Sequence, residues 1–440
     1  MSIALILTGA SVALLTGCGG VQPPGGSRDP ALTTTGFGLP DEIAKVRVAS
    51  FRAKYPDVPL RITEGHLDEQ QFLSSVAVKQ PSDVVYLERL QVGSYASRGA
   101  IQPLDWCVRD QHVDVGAFRP SAVAEATLGG RLYALPDFNQ VRVVIVNNTA
   151  LRQVGLDPAS FATGDWARLT ELGAQLTVRS GGRLSRIGFD PKVPEMLPMW
   201  ARAAGVDLVD GEGGPRLDDP KVVEAVTATA EMVRRQASWT DFRAFRQTFD
   251  LFGAKNPYVA GQLGAMPIET WLLNSLAATS PNADITVLPF TDRTGQPLTW
   301  GTGSGWAIPK GARHPRQACE FIAHMTNADT WVEAARARKQ ALTAKKKPYT
   351  GTYTGNRVAD ERIFADVYEP VPYPAIAEGV RVALAVQDHA FAQRPSPVGA
   401  ELKTAYESAV ARVLLGQQAP KDALVQAQRE AEDALTWRRS

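Results

Sequence analysis

Val84-Val85-Tyr86-Leu87 and the run from Val141 to Val146 are short apolar stretches rich in β-branched residues. Such runs read as strands buried on both faces, the pattern of a parallel sheet covered by helices. Amphipathic helical patterns lie between them. The clearest follows Asp218 and Asp219, which can cap it, with Pro220 at the first helical position and Val222, Val226, Ala230 and Val233 on one face. A second extends from about Pro315 to Met325, with Ala318, Phe321, Ile322 and Met325 at helical spacing. The alternation predicts an α/β protein. Ligands of such sheets bind beyond the carboxyl ends of the strands, which singles out the residues just after Leu87 and near Gln140.

Composition bounds what this α/β body does. With 440 residues, 44% hydrophobic and 21% charged, the chain is globular and long enough for two cores. Lys and Arg number 47 against 46 Asp and Glu, so the formal charge of +1 offers no field for nucleic acid or an anionic membrane surface. No period of 20 to 50 residues appears, which removes repeat architectures.

The N-terminus carries a second signal. A short apolar run from Ile3 ends in Leu15-Thr16-Gly17-Cys18, ahead of the loose segment Gly19 to Pro30. A run of this length is a secretory leader, since a bilayer span takes roughly 20 apolar residues. The order of residues reads as a lipobox, with residues 1–17 removed, Cys18 lipidated and residues 18–30 a tether outside the cytoplasm. No Lys or Arg precedes the run, which points to a true start upstream of Met1. Beyond Cys18 only Cys107 and Cys319 remain. In an oxidising compartment they are either a disulfide or two separately buried thiols, a choice that their spacing leaves open.

Signs of catalysis are few. His66, His112, His314, His324 and His389 are scattered, with no HExxH and no Cys cluster, so neither a metal nor another cofactor is expected. There is no GxSxG elbow. Gly301-Thr302-Gly303-Ser304-Gly305 suggests a phosphate loop, but it leads into the extended run Trp306-Ala307-Ile308-Pro309 instead of opening a helix. It reads as a tight turn before a strand.

Five blocks, in order, resemble the bacterial extracellular sugar-binding proteins of the maltose-binding type. The first runs from Asp83-Val84-Val85-Tyr86-Leu87-Glu88 to Tyr95-Ala96-Ser97-Arg98-Gly99-Ala100-Ile101-Gln102-Pro103-Leu104. Gly130 to Pro136 with Val144-Ile145-Val146-Asn147-Asn148 is similar to the family's tyrosine-asparagine strand, with Val146 in place of the aromatic. Ala260 to Met266 followed by Trp271, then Gly303 to Gly311, and finally Arg394-Pro395 with Leu415-Gly416 and Ala423-Leu424, complete the series. In length and in Ala, Arg and Gly content the chain is similar to mycobacterial lipoproteins of this kind.

The resemblance implies a two-lobed clamshell. Residues 31–138 and 291–345 would form the first lobe, and residues 139–290 and 346–440 the second, with hinge crossings near Gln140, Phe290 and Lys345. It also implies the function. A carbohydrate is captured between the lobes of a monomer and handed to the permease of an ABC importer, with no reaction. Sugars present C–H faces and hydroxyl edges, so aromatic platforms and polar side chains are expected in the cleft. By resemblance these are Phe37, Glu64, Glu88, Arg89 and Gln91 in the first lobe and Gln140 at the hinge. Glu195, Trp271, Gly303 with Ser304, and Arg394 complete the expected set. The alternatives are a core position for Trp271 and a solvated loop for Glu88, Arg89 and Gln91. Trp239, Trp300 and Trp306 are expected to pack. Rival functions are a secreted glycosidase or esterase, a glycerophosphodiester binder, or a sensor of the same fold.

Overall fold

The computed structural model describes residues 30–439. Cys18 and the leader before it lie outside the described residues. Among the described residues no helix is long and apolar enough to cross a membrane.

Two five-stranded sheets organise the chain. The first has the order Leu60–Thr63, Leu32–Thr35, Val84–Glu88, Ser304–Ala307, Leu135–Pro136. Its first three strands are parallel, and Ser304–Ala307 lies antiparallel between Val84–Glu88 and Leu135–Pro136. The second has the order Ile285–Leu288, Arg142–Asn147, Leu263–Glu269, Arg183–Phe189, Val178–Ser180. Arg142–Asn147 is buried at every residue, as its sequence predicts, yet it is antiparallel to both neighbours. Burial on two faces requires cover on both sides, which helices give an antiparallel strand as readily as a parallel one.

Both predicted helices form. Pro220–Arg234 is capped by Asp219, whose side chain accepts from Lys221 N, and Val222, Val226, Ala230 and Val233 are buried. Pro315–Thr326 buries Ala318, Phe321, Ile322 and Met325. Cys107, on helix Asp105–Asp110, is bonded to Cys319 on Pro315–Thr326, with a Cα–Cα distance of 5.6 Å. The bond closes over the intervening passage through the second lobe, tying the first lobe's outgoing chain to its return.

The crossings differ from the expected boundaries. Gln140 and Thr302 exchange backbone hydrogen bonds of 2.8 and 2.9 Å, and Phe138 bridges to Thr354, so three passes lie side by side between the lobes. Phe290, Leu298 and Trp300 pack in the second core, and the chain rejoins the first sheet only at Ser304. The expected return at residue 291 is therefore too early. Helix Arg357–Asp366, expected in the second lobe, shares a cluster with Trp331 and Val332 of helix Ala328–Ala344, which packs on helix Glu42–Lys54 of the first lobe. Helix Pro374–Val386 then packs on the second sheet. An amphipathic pattern shows that a helix has an apolar face, not which core receives it.

Candidate functional site: an interlobe cleft

Strand pairing sets the floor of the cleft. Glu88 and Ser304 are register partners at the ends of Val84–Glu88 and Ser304–Ala307. Gly303 separates the hinge bridge from that pair, and a Cβ there would lie 2.0 Å from the Phe138 carbonyl oxygen, so the close crossing of the two passes requires glycine.

Three cavities border these crossings. One of about 350 Å³ is lined by Glu88, Leu90, Gln140, Thr302, Gly303 and Ser304 on one side and by Arg142, Glu195, Met196, Glu269, Trp300, Lys403, Tyr406 and Glu407 on the other. A second of about 280 Å³ shares Gln140 and adds Trp271, Asn274, Arg338, Tyr349 and Tyr353. A third of about 370 Å³ shares Asp41 and Phe138 with the second and is bordered by Phe37, Glu64, His66 and Tyr86. The shared residues make them adjoining compartments along the interlobe boundary.

Charge in the first cavity is arranged rather than free. Arg142 lies 4.5 Å from the Trp300 ring centroid and donates to Trp300 O at 2.8 Å, to Thr302 Oγ1 at 2.7 Å and to Glu269 Oε1 at 3.3 Å. Lys192 Nζ donates to Glu269 Oε2 at 2.6 Å. Burial alone would raise the Glu269 carboxyl, but Arg142 and Lys192 outweigh it and hold the group near about 2. Glu407 is pushed up by burial, opposed by Lys403 at 4.0 Å and reinforced by Glu195. Tyr406 is buried and its hydroxyl stays protonated, chiefly through burial and then through Glu407 and Glu195. The cavity thus offers hydroxyl, carboxylate and amide groups beside the edges of two buried aromatic rings.

The expected site residues distribute unevenly. Glu88, Gln140, Glu195, Gly303 and Ser304 line the first cavity, with Glu88 and Glu195 exposed. Trp271 is half-buried at the second, its ring stacked on Phe252 at 4.8 Å and 15°. Phe37 borders the third, but its ring is buried against Tyr86 and Trp306. Glu64 accepts from Leu39 N at 2.9 Å and so steadies the loop that carries Phe37. Trp239 and Trp306 are core residues, whereas Trp300 reaches the cavity wall.

Arg89 is a correction. Its side chain is 0% exposed. It donates to Glu125 Oε2 at 3.0 Å, Phe138 O at 2.6 Å, Ser304 O at 3.2 Å and Asn139 Oδ1 at 2.8 Å. With those donors engaged it braces the cleft floor from beneath instead of meeting a ligand. Gln91 is half-buried in the turn Arg89–Gln91 and lines none of the three cavities. Arg394 is more than half exposed, 3.6 Å from Asp207, and it too is outside all three, although Gln393 lines the first.

Sequence reasoning missed Arg142, Glu269, Lys403, Tyr406 and Glu407. A charge inside the run Val141 to Val146 was a usable signal for Arg142, since a buried charge is kept only with partners. Lys403, Tyr406 and Glu407 sit on helix Gly399–Leu414, far along the chain, and carry no local signal. Among the described residues no group of three or more His, Cys, Asp or Glu is disposed to hold a metal ion.

Solved structures share this architecture. CpMnBP1 with mannotriose bound superposes with a TM-score of 0.73 at 23% identity, covering 91% of this chain and 99% of that one. Lmo0181 from Listeria monocytogenes, an ABC substrate-binding protein in complex with cycloalternan, gives 0.71 at 16% identity over 92% and 99%. Maltose-bound MalE3 of T. maritima gives 0.66 at 18% identity over 92% and 99%. These likenesses establish the two-lobed fold. A family model described as bacterial extracellular solute-binding protein matches residues 47–347, which include both sheets' central strands and the cleft floor. The chain belongs to the bacterial extracellular solute-binding proteins.

Proposed function

We propose that this protein captures a carbohydrate between its lobes and delivers it unchanged to the permease of an ABC importer. The observation that carries the reading is the cleft itself. Hydroxyl-matching groups from both lobes (Glu88, Gln140 and Ser304 with Glu195 and Glu407) line one cavity, whose wall includes the edges of the buried rings of Tyr406 and Trp300. Carbohydrate-bound proteins of the same fold support it. A phosphodiester ligand is disfavoured by the cavity's charge: Arg142 is already held by Glu269, Thr302 and Trp300, which leaves Lys403, 4.0 Å from Glu407, against the carboxylates of Glu88, Glu195 and Glu407. The protein acts as a monomer on the outer face of the membrane, tethered through lipidated Cys18, and Trp271 and Glu88 are among the ligand contacts.

The test is incubation with mannotriose, maltose and a panel of amino sugars. A true ligand at 100 times its dissociation constant stabilises the fold by about 2.7 kcal/mol. It should be recovered chemically intact. Turnover of the ligand, or no stabilisation by any carbohydrate, overturns the reading.

A further inference from the structure

The segment after the second lobe's short strand Ala390–Phe391 crosses to the first lobe before entering helix Gly399–Leu414. It is anchored in its own lobe by Ser396 Oγ, which donates to Gly213 O at 2.7 Å, and by Leu402, Ala405 and Tyr406 in the second core. Its other face lies on helix Val92–Ser97 of the first lobe. Ser97 Oγ donates to Pro397 O at 3.1 Å, and Arg98 Nη2 meets Glu401 Oε1 at 3.2 Å. Ala400 N donates to Ser94 Oγ at 3.4 Å.

Gly93 makes this seat possible. A Cβ at Gly93 would lie 2.6 Å from Ser396 O, 2.8 Å from Ser396 N and 3.1 Å from Pro395 Cβ. Two of those neighbours are backbone atoms that no side-chain rotation relieves. A glycine within a helix is normally improved by alanine, so glycine here runs against the helix's local preference and in favour of the close approach. Ser94 and Ser396 are buried in the seat, and Leu90 and Gly399 at its edge line the first cavity.

We propose that Pro395–Glu401 is an interlobe latch, seated on helix Val92–Ser97 through the missing side chain of Gly93, and that it sets how far the cleft closes. Its role in holding a ligand rests on the carbohydrate reading above, whereas its role in closure does not. Closed states are favoured only by contacts that the open state lacks, and these contacts join the two lobes beside the cleft.

Gly93→Ala tests it, by solution scattering without ligand and with mannotriose. The substituted helix keeps its propensity while the seat is obstructed, so the unliganded protein is expected to be more expanded than the wild type. Affinity for mannotriose should fall roughly tenfold, as when the competent population drops by that factor. Arg98→Ala, which removes one tie and leaves the backbone approach intact, should shift both readouts in the same direction by less. A retained cooperative melt shows that expansion is not unfolding, and if Gly93→Ala loses it, the Arg98→Ala profile decides. Scattering profiles of the folded variants that superimpose on the wild type overturn the latch. Failure of mannotriose to bind wild type and variants alike shows only that this probe is not a ligand, because the unliganded profiles still decide the latch.

Discussion

Removing the Cys107–Cys319 bond should destabilise the first lobe far more than removing a buried methyl-sized group. The two residues are 212 apart in sequence. In the loop-entropy description, closing a loop of that length withdraws about 18 cal/mol/K from the unfolded chain, or about 5 kcal/mol at 25 °C. Measured losses for native bonds fall at about 2–5 kcal/mol, so this figure is an upper value. For a lobe of 150–250 residues each kcal/mol moves the midpoint by about 2–4 °C, giving a fall of roughly 4–20 °C. Cys107→Ala/Cys319→Ala is the variant, followed by calorimetry beside wild type unfolded and refolded in reductant. Both cysteines are buried, so reductant added to the native protein should act only through opening. The variant and the reduced wild type should agree in midpoint, since they share the same broken link. If both melt within 1 °C of the oxidised protein, the bond does not constrain the unfolded chain and the reasoning fails.

Trp271→Ala should weaken carbohydrate binding by about 1–3 kcal/mol with the melt retained, the worth of one large apolar contact, as read by titration calorimetry; normal affinity with a lost cooperative melt would assign the ring to packing. Arg89→Met strands a buried carboxylate at Glu125 and should cost about 3–5 kcal/mol in urea unfolding at pH 8. At pH 5 the loss should be smaller, because burial pushes Glu125 up to about 7 and its carboxyl is then protonated; equal losses at both values would contradict this. Glu125 is itself a pH-dependent burden. Its folded value lies above the unfolded one of about 4.5, so its contribution is most favourable below that and is lost as pH rises to about 7. Glu125→Gln should flatten the stability profile over that window, and an unchanged slope would assign it elsewhere.

The strand and helix content was largely legible because its causes are local. β-branched runs at Val84 and Val141, the Asp219 cap with Pro220, and helical spacing from Ala318 to Met325 all act within a few residues. The cleft was legible in part. Glu88 and Ser304 end strands, Gly303 and Gln140 lie just outside them, and a sheet delivers such residues to one edge. Arg89 belongs to the same loop, and no local pattern separates an exposed ligand residue from a buried brace. That distinction depends on Glu125, Phe138, Asn139 and Ser304 arriving from three other segments.

The sequence alone determined the class of fold and, through five ordered blocks, the family. Tertiary structure alone decided the antiparallel setting of Arg142–Asn147, the union of Cys107 with Cys319, and the placing of helix Arg357–Asp366 on the first lobe. It also decided that Tyr406 and Glu407 meet Glu195 at the cleft, more than 200 residues away along the chain. The physical reason is common to all of these. Propensity and capping are settled by neighbours in sequence, whereas partners for a sulfur, an apolar face or a buried charge are settled by which distant segment burial brings alongside.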